Sequence, residues 1–146
     1  IGALESAGPF VRDHSRPWAG ANVNFATEDP LLQLRAGEFA AGLVSAYQST
    51  ILTAERFDAF EQGKISRGAL ALSVSAAKIT ANHATLAATN GLHGLMGTRS
   101  ASRHLHFDRF WRNARTLSLH DPIDHKAREL GNHLFTGEYP SPGVYQ

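Results

Sequence analysis

Residues 29–63 read DPLLQLRAGEFAAGLVSAYQSTILTAERFDAFEQG, and this stretch decides the fold class. Asp29 is a good helix N-cap, and Pro30 suits the first turn of a helix. Apolar residues then recur near helical spacing, at Leu31, Leu34, Phe39, Leu43, Tyr47 and Ile51. The pattern continues to about Gln62, and Gly63 is a natural stop. The stretch therefore predicts a single long helix.

Further helices are indicated on the C-terminal side of this one. Residues 66–95 are rich in Ala and Leu and predict a second long helix. Its apolar stripe is expected at Leu70, Val74, Ala77, Thr80 and Ala81, beside a stripe of small or polar residues at Ala71, Ser75, Lys78, Asn82 and Thr85. A shorter helix is predicted over about 103–117. A fourth is predicted from Asp121-Pro122, with Asp121 as its cap, to about Gly137, before a Pro-rich extended tail. No strand pattern competes, so we predict an all-α, up-and-down four-helix bundle.

Composition limits the classes of protein that remain. The chain has 146 residues, of which 42% are hydrophobic and 18% charged, which predicts one globular domain over residues 1–146. A net charge of +1 argues against general nucleic-acid binding, and the absence of cysteine removes disulfide and thiolate chemistry. Because no apolar run could span a bilayer and no signal peptide leads the chain, a cytoplasmic setting is expected. The opening IGALESAGPFV lacks Met and reads as the tail of a helix, which predicts part of a longer protein.

Two cationic segments are candidates for anion binding. Arg12 and Arg16 lie in VRDHSRPW, and Arg99 and Ser100 lie in the connection MGTRSAS. Backbone amides, small hydroxyls and an arginine before a helix can bind a phosphate, although such a stretch is more often only a connection. No metal site is predicted, because His104 and His106 are two residues apart and would point to different helix faces, and His83 and His93 are ten residues apart.

Residues 107–122, FDRFWRNARTLSLHDP, combine a helix face, a run of cations and a histidine. Four positions at i, i+3, i+4 and i+7 are expected to form a core face: Phe107, Phe110, Trp111 and Ala114. Three arginines are expected to form a solvated or salt-bridged stripe: Arg109, Arg112 and Arg115. His120 lies just before the next helix start, where positive potential disfavours the imidazolium. A neutral histidine there could accept a proton or a hydrogen bond from a substrate, and the alternative is a connecting histidine without a role.

The stretch FDRFWRNARTLSLHDP, preceded by GTRSAS and followed by a helix with Lys126 and Gly131-Asn132, resembles the C-terminal helical domain of the acyl-CoA dehydrogenase superfamily. It is most similar to the two-component, reduced-flavin-dependent monooxygenases of the dibenzothiophene monooxygenase and 4-hydroxyphenylacetate hydroxylase oxygenase type. SRPW near the start and the helix opening ATEDP also resemble that group, and the resemblance covers nearly the whole chain.

The resemblance implies the last third of a three-domain flavoprotein that forms homotetramers through these bundles. It implies FMN or FAD as cofactor, used as reduced flavin. By motif position, Arg16 or Arg12 would meet the phosphate end of the flavin from a neighbouring subunit. Arg99 and Ser100 would help to hold the flavin, and His120 would face the isoalloxazine and the substrate.

The implied reaction is oxygenation of an aromatic or organosulfur compound through a flavin C4a-hydroperoxide, with a separate flavin reductase as partner. His120 would orient the substrate or assist proton transfer. True acyl-CoA dehydrogenases commonly carry a Tyr-Glu-Gly sequence with a catalytic glutamate, where this chain has Leu119-His120-Asp121-Pro122. Many relatives in the monooxygenase group also have a histidine in place of Leu117. Two alternatives remain open: a dehydrogenase acting on an acyl-CoA thioester with an unusual base, and a helical binding or oligomerisation domain without chemistry.

Overall fold

A computed structural model describes residues 1–143 of the chain. Within them are five α-helices: α1 Gly2–His14, α2 Pro30–Glu61, α3 Arg67–Met96, α4 Asp108–His120 and α5 Ile123–Thr136. Short 3-10 turns span Ala19–Ala21, Ala26–Glu28, Thr98–Ala101 and Arg103–Leu105, and these described residues contain no strand. The all-α prediction is confirmed, and α1 forms where the opening stretch was read as the tail of a helix. None of the helices in this part of the chain is long and apolar enough to cross a membrane.

The two long helices begin and end where local signals placed them. Asp29 caps α2, since its Oδ1 accepts a hydrogen bond of 2.9 Å from the Leu31 amide. Gly63 follows the end of α2 with φ of +70°, a conformation that favours glycine. The Ser66 hydroxyl oxygen accepts a bond of 3.1 Å from the Ala69 amide and so caps α3. Capping acts over two or three residues, which is why the sequence predicted both helices closely.

The predicted bounds of the third helix were wrong. The chain forms a 3-10 turn at Arg103–Leu105, and His106 then takes a left-handed conformation with φ of +53°. A left-handed residue interrupts α-helical propagation, so α4 begins only at Asp108. The helix then continues through His120, which is therefore its last residue and does not lie in an open connection.

The prediction that Asp121 caps the last helix was also wrong. Pro122 occupies the N-cap position of α5, and no side chain provides a cap hydrogen bond there. The Asp121 carboxylate instead accepts a hydrogen bond from Lys78 of α3. The helix ends at Thr136, and Gly137 caps it with φ of +75°. The Pro-rich tail from Gly137 was predicted as extended; it has no regular structure as far as residue 143, and residues 144–146 lie outside the described residues.

The chain forms two compact units, of which the first comprises residues 1–43 and 84–115. Its buried core consists of Ala3, Ala7, Phe10, Leu92 and Met96. Phe107 of the predicted core face packs edge-on against Phe10, with ring centroids 5.3 Å apart. Trp111 does not complete that face, since it is 41% exposed. The predicted core face is thus correct for the phenylalanines and wrong for the tryptophan.

The second unit comprises residues 44–83 and the residues from Thr116 onward. Leu70 and Ala77 are buried, as their apolar stripe predicted, but Val74 of the same stripe is 46% exposed. Ser75, on the stripe of small or polar residues, is only 1% exposed. The Ser75 hydroxyl donates a hydrogen bond of 3.4 Å to the Glu129 carboxylate of α5, which gives this buried polar side chain a charged partner.

Candidate functional site

One long-range hydrogen bond brings the two cationic segments together. The Ser15 hydroxyl, just beyond the end of α1, donates a bond of 2.9 Å to the carbonyl oxygen of Met96, the last residue of α3. Arg16 and Arg99 follow these two residues closely, and both line one cavity of about 310 Å³. The structure therefore unites two of the arginines that the sequence singled out.

The turn that carries Arg99 depends on Gly97. Its φ of +80° and ψ of 178° lie in a region that is essentially reserved for glycine. Its amide donates a bond of 2.8 Å to the His93 carbonyl oxygen and ends α3. This conformation sends the chain directly into the 3-10 turn Thr98–Ala101, which carries the Arg99 side chain.

Ser100 lies inside this turn, with an exposed fraction of only 1%. Its hydroxyl lies 2.7 Å from the Gly97 carbonyl oxygen and 2.7 Å from His93 Nδ1. The carbonyl can only accept, so the hydroxyl hydrogen goes to Gly97, and His93 Nδ1 must donate to the Ser100 oxygen. The Ser100 hydroxyl is thus used within the loop, where it fixes the position of Arg99.

The electrostatics of this cavity favour an anion. Within residues 1–143, neither Arg16 nor Arg99 forms an ion pair with a carboxylate, whereas Arg112 pairs with Asp108 at 3.1 Å. Asp29 also lines the cavity, but its carboxylate oxygen accepts hydrogen bonds from the first amides of α2. Two guanidinium groups in one cavity, with the nearby carboxylate already bonded, suit a phosphate group.

Arg12 lies elsewhere in the first unit. It lines a second cavity of about 410 Å³, whose other walls are mostly apolar and include Leu4, Val11 and Leu95. The Arg12 side chain folds back along α1, so that one guanidinium nitrogen lies 3.9 Å from the point where a Cβ atom at Gly8 would be. The structure therefore does not bring Arg12 into the cavity that Arg16 and Arg99 share.

His120 belongs to the second unit and is exposed at the end of α4. The residue after it, Asp121, is held by two lysines: Lys78 donates a hydrogen bond to its Oδ2, and Lys126 Nζ lies 3.8 Å from the same oxygen. Lys126 also lies 4.0 Å from Glu129, whose carboxylate accepts a bond of 3.4 Å from a serine of α3. The sequence analysis missed this cluster completely.

The ionisation of Asp121 is set by opposing effects. Burial raises the pKa of the Asp121 carboxyl, but the Lys78 hydrogen bond and the charges of Lys126, Lys78 and His120 outweigh burial. The net pKa of Asp121 is therefore below its ordinary value. A carboxylate with a lowered pKa is a weak base, so Asp121 is poorly suited to abstract a proton from carbon.

Comparison with known protein families assigns the chain to a family. Residues 2–125 match the protein family described as Acyl-CoA dehydrogenase, C-terminal domain. The chain belongs to this family. The all-helical fold described above agrees with this assignment.

Individual relatives narrow the group within the family. The domain is 37% identical over 147 residues to a dibenzothiophene monooxygenase of Rhodococcus erythropolis, covering 97% of this chain and 35% of that protein. It is 36% identical to the probable FMNH2-dependent monooxygenase SfnC of Pseudomonas putida, covering 99% of this chain and 38% of that protein. The domain therefore spans little more than a third of the length of these relatives.

A solved structure matches the domain along nearly its whole length. The dibenzothiophene monooxygenase TdsC of Paenibacillus sp. A11-2, crystallised with FMN and indole, superposes with a TM-score of 0.92 and 42% sequence identity. The match covers 99% of this chain and 38% of the TdsC chain.

Proposed function

We propose that this chain is the C-terminal domain of a reduced-FMN-dependent monooxygenase that oxygenates an aromatic or organosulfur compound. The observation that carries the proposal is the likeness to TdsC, which was solved with FMN and indole. The match to a probable FMNH2-dependent enzyme supports reduced flavin as the cofactor and hence a separate flavin reductase as partner. Since the chain covers little more than a third of these relatives, the remaining parts of the site belong to other regions of the protein.

The residues present fit the phosphate end of FMN. Arg16 and Arg99 line one cavity, and neither forms an ion pair with a described carboxylate. In the proposed complex they bind the FMN phosphate by charge-assisted hydrogen bonds. Because both line one cavity of one chain, this proposal has them act on the same phosphate and replaces the expectation that Arg16 reaches the flavin from a neighbouring subunit. Ser100 acts through the loop that it holds, and Arg12 contacts the flavin only if a second subunit presents it.

Bound reduced FMN supplies the electrons and activates dioxygen. The protein contributes position and proton handling around that chemistry. We assign His120 to the substrate: its imidazole donates or accepts a hydrogen bond that orients the substrate, and it moves a proton as oxygen is delivered. Its place at the end of a helix leaves the ring exposed in this chain, where a substrate can contact it.

The dehydrogenase alternative is weakened by the state of Asp121. That reaction needs a carboxylate base, and Asp121 is the acidic residue in the segment where the family's glutamate commonly lies. Its carboxylate is bonded to Lys78, lies near Lys126 and has a lowered pKa. Each of these features stabilises the ionised form and makes it a weaker base. We therefore propose monooxygenation in preference to dehydrogenation.

Exposed apolar residues support assembly of the domain into an oligomer. On α2 of the second unit Val44, Tyr47, Ile51 and Leu52 are exposed, as are Leu134 and Phe135 on α5. Contiguous apolar faces on a soluble protein usually mark an interaction surface. We propose that these faces contribute to the homotetramer that the family resemblance implies.

The experiment that tests the proposed function uses the complete protein that carries this domain, a flavin reductase and dibenzothiophene in air. Mass spectrometry should detect products with one or two added oxygen atoms. His120→Ala should lower oxygenation by about 10²-fold or more, the range for loss of an acid–base group, and leave binding of reduced FMN nearly unchanged. His125→Ala, which removes an exposed histidine of α5, is the matched control and should have no effect.

Three results would oppose parts of the proposal. No oxygenated product from wild type with any aromatic or organosulfur compound tested would argue against a monooxygenase. Equal activity in wild type and His120→Ala would remove His120 from the mechanism. Bleaching of the oxidised flavoprotein by an acyl-CoA without oxygen would instead favour the dehydrogenase.

A further inference from the structure

The junction that carries His120 has no side-chain cap at the start of its second helix, α5. Between α4, which ends at His120, and α5, which begins at Ile123, lie only Asp121 and Pro122. The N-cap of α5 has no side-chain hydrogen bond. A helix start without a cap is less stable, typically by about 1 kcal/mol, and frays more readily. The geometry of this corner therefore depends on contacts other than a cap.

Lys78 of α3 supplies such a contact. Its ammonium group donates a hydrogen bond to Asp121 Oδ2 across 43 residues of sequence. The Asp121 side chain is 15% exposed and the Lys78 side chain 30%, so the pair is partly shielded from solvent. Ion pairs with little exposure are screened less than surface pairs. This contact fastens the corner between α4 and α5 to α3.

A second lysine, on α5, lies near the same carboxylate. Lys126 is only 4% exposed, and its Nζ lies 3.8 Å from Asp121 Oδ2 and 4.0 Å from Glu129 Oε2. Ser75 donates a hydrogen bond of 3.4 Å to Glu129 Oε2. Two carboxylates thus lie near the buried Lys126 ammonium group and offset the cost of burying its charge. Lys126 is the buried anchor of this cluster, and Lys78 is the more exposed member that can be changed separately.

We propose that Lys78 is a positioning residue for His120: by holding the Asp121 carboxylate against α3, it fixes the corner from which the His120 side chain projects. Neighbouring Cα atoms are about 3.8 Å apart, so movement of Asp121 is transmitted directly to His120. A displacement of about 1 Å at a reacting group can lower a rate by about 10²-fold. The inference rests on the proposed role of His120 and adds a residue that contacts neither substrate nor flavin.

The test compares Lys78→Met with Lys78→Arg in the complete protein. Met keeps an apolar stem and removes the charge, so oxygenation should fall by about tenfold or more while the Kd for reduced FMN stays within about twofold. Lys78→Arg retains a cation that can reach Asp121 and should recover most of the activity. Lys64→Met, which changes an exposed lysine between α2 and α3, is the control and should match wild type.

A double-mutant cycle distinguishes positioning of His120 from an independent effect. In a His120→Ala background, Lys78→Met should cause little further loss, because the residue that it positions is already absent. Losses that multiply would show that Lys78 acts by another route and would overturn the proposal. Full activity of Lys78→Met would overturn it as well. If Lys78→Met folds poorly, Asp121→Asn removes the same attraction with little change in shape and should give the same loss.

A flavin-free readout separates this inference from the proposed function. The imidazole of His120 should give one sharp NMR resonance in the wild-type protein, and this resonance should shift or broaden in Lys78→Met. The His125 resonance should be the same in Lys78→Met as in the wild-type protein. An unaltered His120 resonance would contradict the positioning role whatever the enzyme does. An altered resonance in a protein that oxygenates nothing would leave the positioning role in place and refute the monooxygenase assignment.

Discussion

Gly91 of α3 provides a direct test of the packing of the first unit. A Cβ atom added at Gly91 would lie 2.1 Å from Phe39 Cζ and 2.6 Å from Cε2. Carbon atoms in contact are normally about 3.5–4.0 Å apart, so Gly91→Ala requires the ring or the helix to move by more than 1 Å, on the order of the gap between these distances. Overpacking of this kind costs about 1–3 kcal/mol, opposed by up to about 1 kcal/mol from the better helix propensity of alanine.

The matched control is Gly94→Ala in the same helix, since a Cβ there meets nothing within 4 Å. Urea unfolding followed by circular dichroism should place Gly91→Ala about 1–3 kcal/mol below this control in free energy of unfolding. Phe39→Leu in the Gly91→Ala background should recover part of the loss, because it removes the Cζ atom that clashes. If Gly91→Ala is as stable as Gly94→Ala, the close approach of Phe39 to α3 is wrong.

Three further predictions concern single residues. The folded-state pKa of Asp121 is lowered, so its contribution to stability is present above the unfolded pKa of about 3.9 and is lost as pH falls through the folded value. The urea concentration at the unfolding midpoint should therefore decrease when the pH is lowered below about 4, and this decrease should be smaller in Asp121→Asn. Asp29→Ala removes the cap of α2 and should lower the free energy of unfolding by about 0.5–2 kcal/mol in the same assay, whereas unchanged stability would refute the cap. Gly97→Ala places a side chain at φ of +80° and should cost about 1–3 kcal/mol by thermal or urea unfolding, with Gly94→Ala again as the neutral comparison.

The long helices could be predicted from the sequence because their limits are local. Asp29 and Ser66 bond to amides two or three residues away, and Gly63 takes its left-handed conformation at the predicted stop. The start of α4 was missed because the left-handed conformation of His106 has no distinctive signal in the sequence. Asp121 looked like a cap, yet its hydrogen-bond partner is 43 residues away, and no local rule identifies a partner at that separation.

In the candidate site, too, the sequence identified individual residues but not the contacts between them. Arg16 and Arg99 were singled out from the sequence and the family resemblance, but their meeting depends on a bond from Ser15 to the end of α3, 81 residues away. The burial of Ser100 was likewise not foreseeable, since it depends on His93 and on the turn at Gly97. Sequence reasoning thus found the charged groups and not the contacts that place them.

The most direct test of the account is whether Arg16 and Arg99 bind the phosphate of reduced FMN. The complete protein should be titrated without oxygen with reduced FMN and, in parallel, with reduced riboflavin, which lacks the phosphate. Wild type should bind FMN much more tightly, and Arg99→Gln or Arg16→Gln should reduce that preference by about tenfold to a hundredfold, the value of a charge-assisted hydrogen bond, while Arg112→Gln should not. Equal binding of FMN and riboflavin by wild type, or a preference for FMN that survives loss of both arginines, would contradict the account.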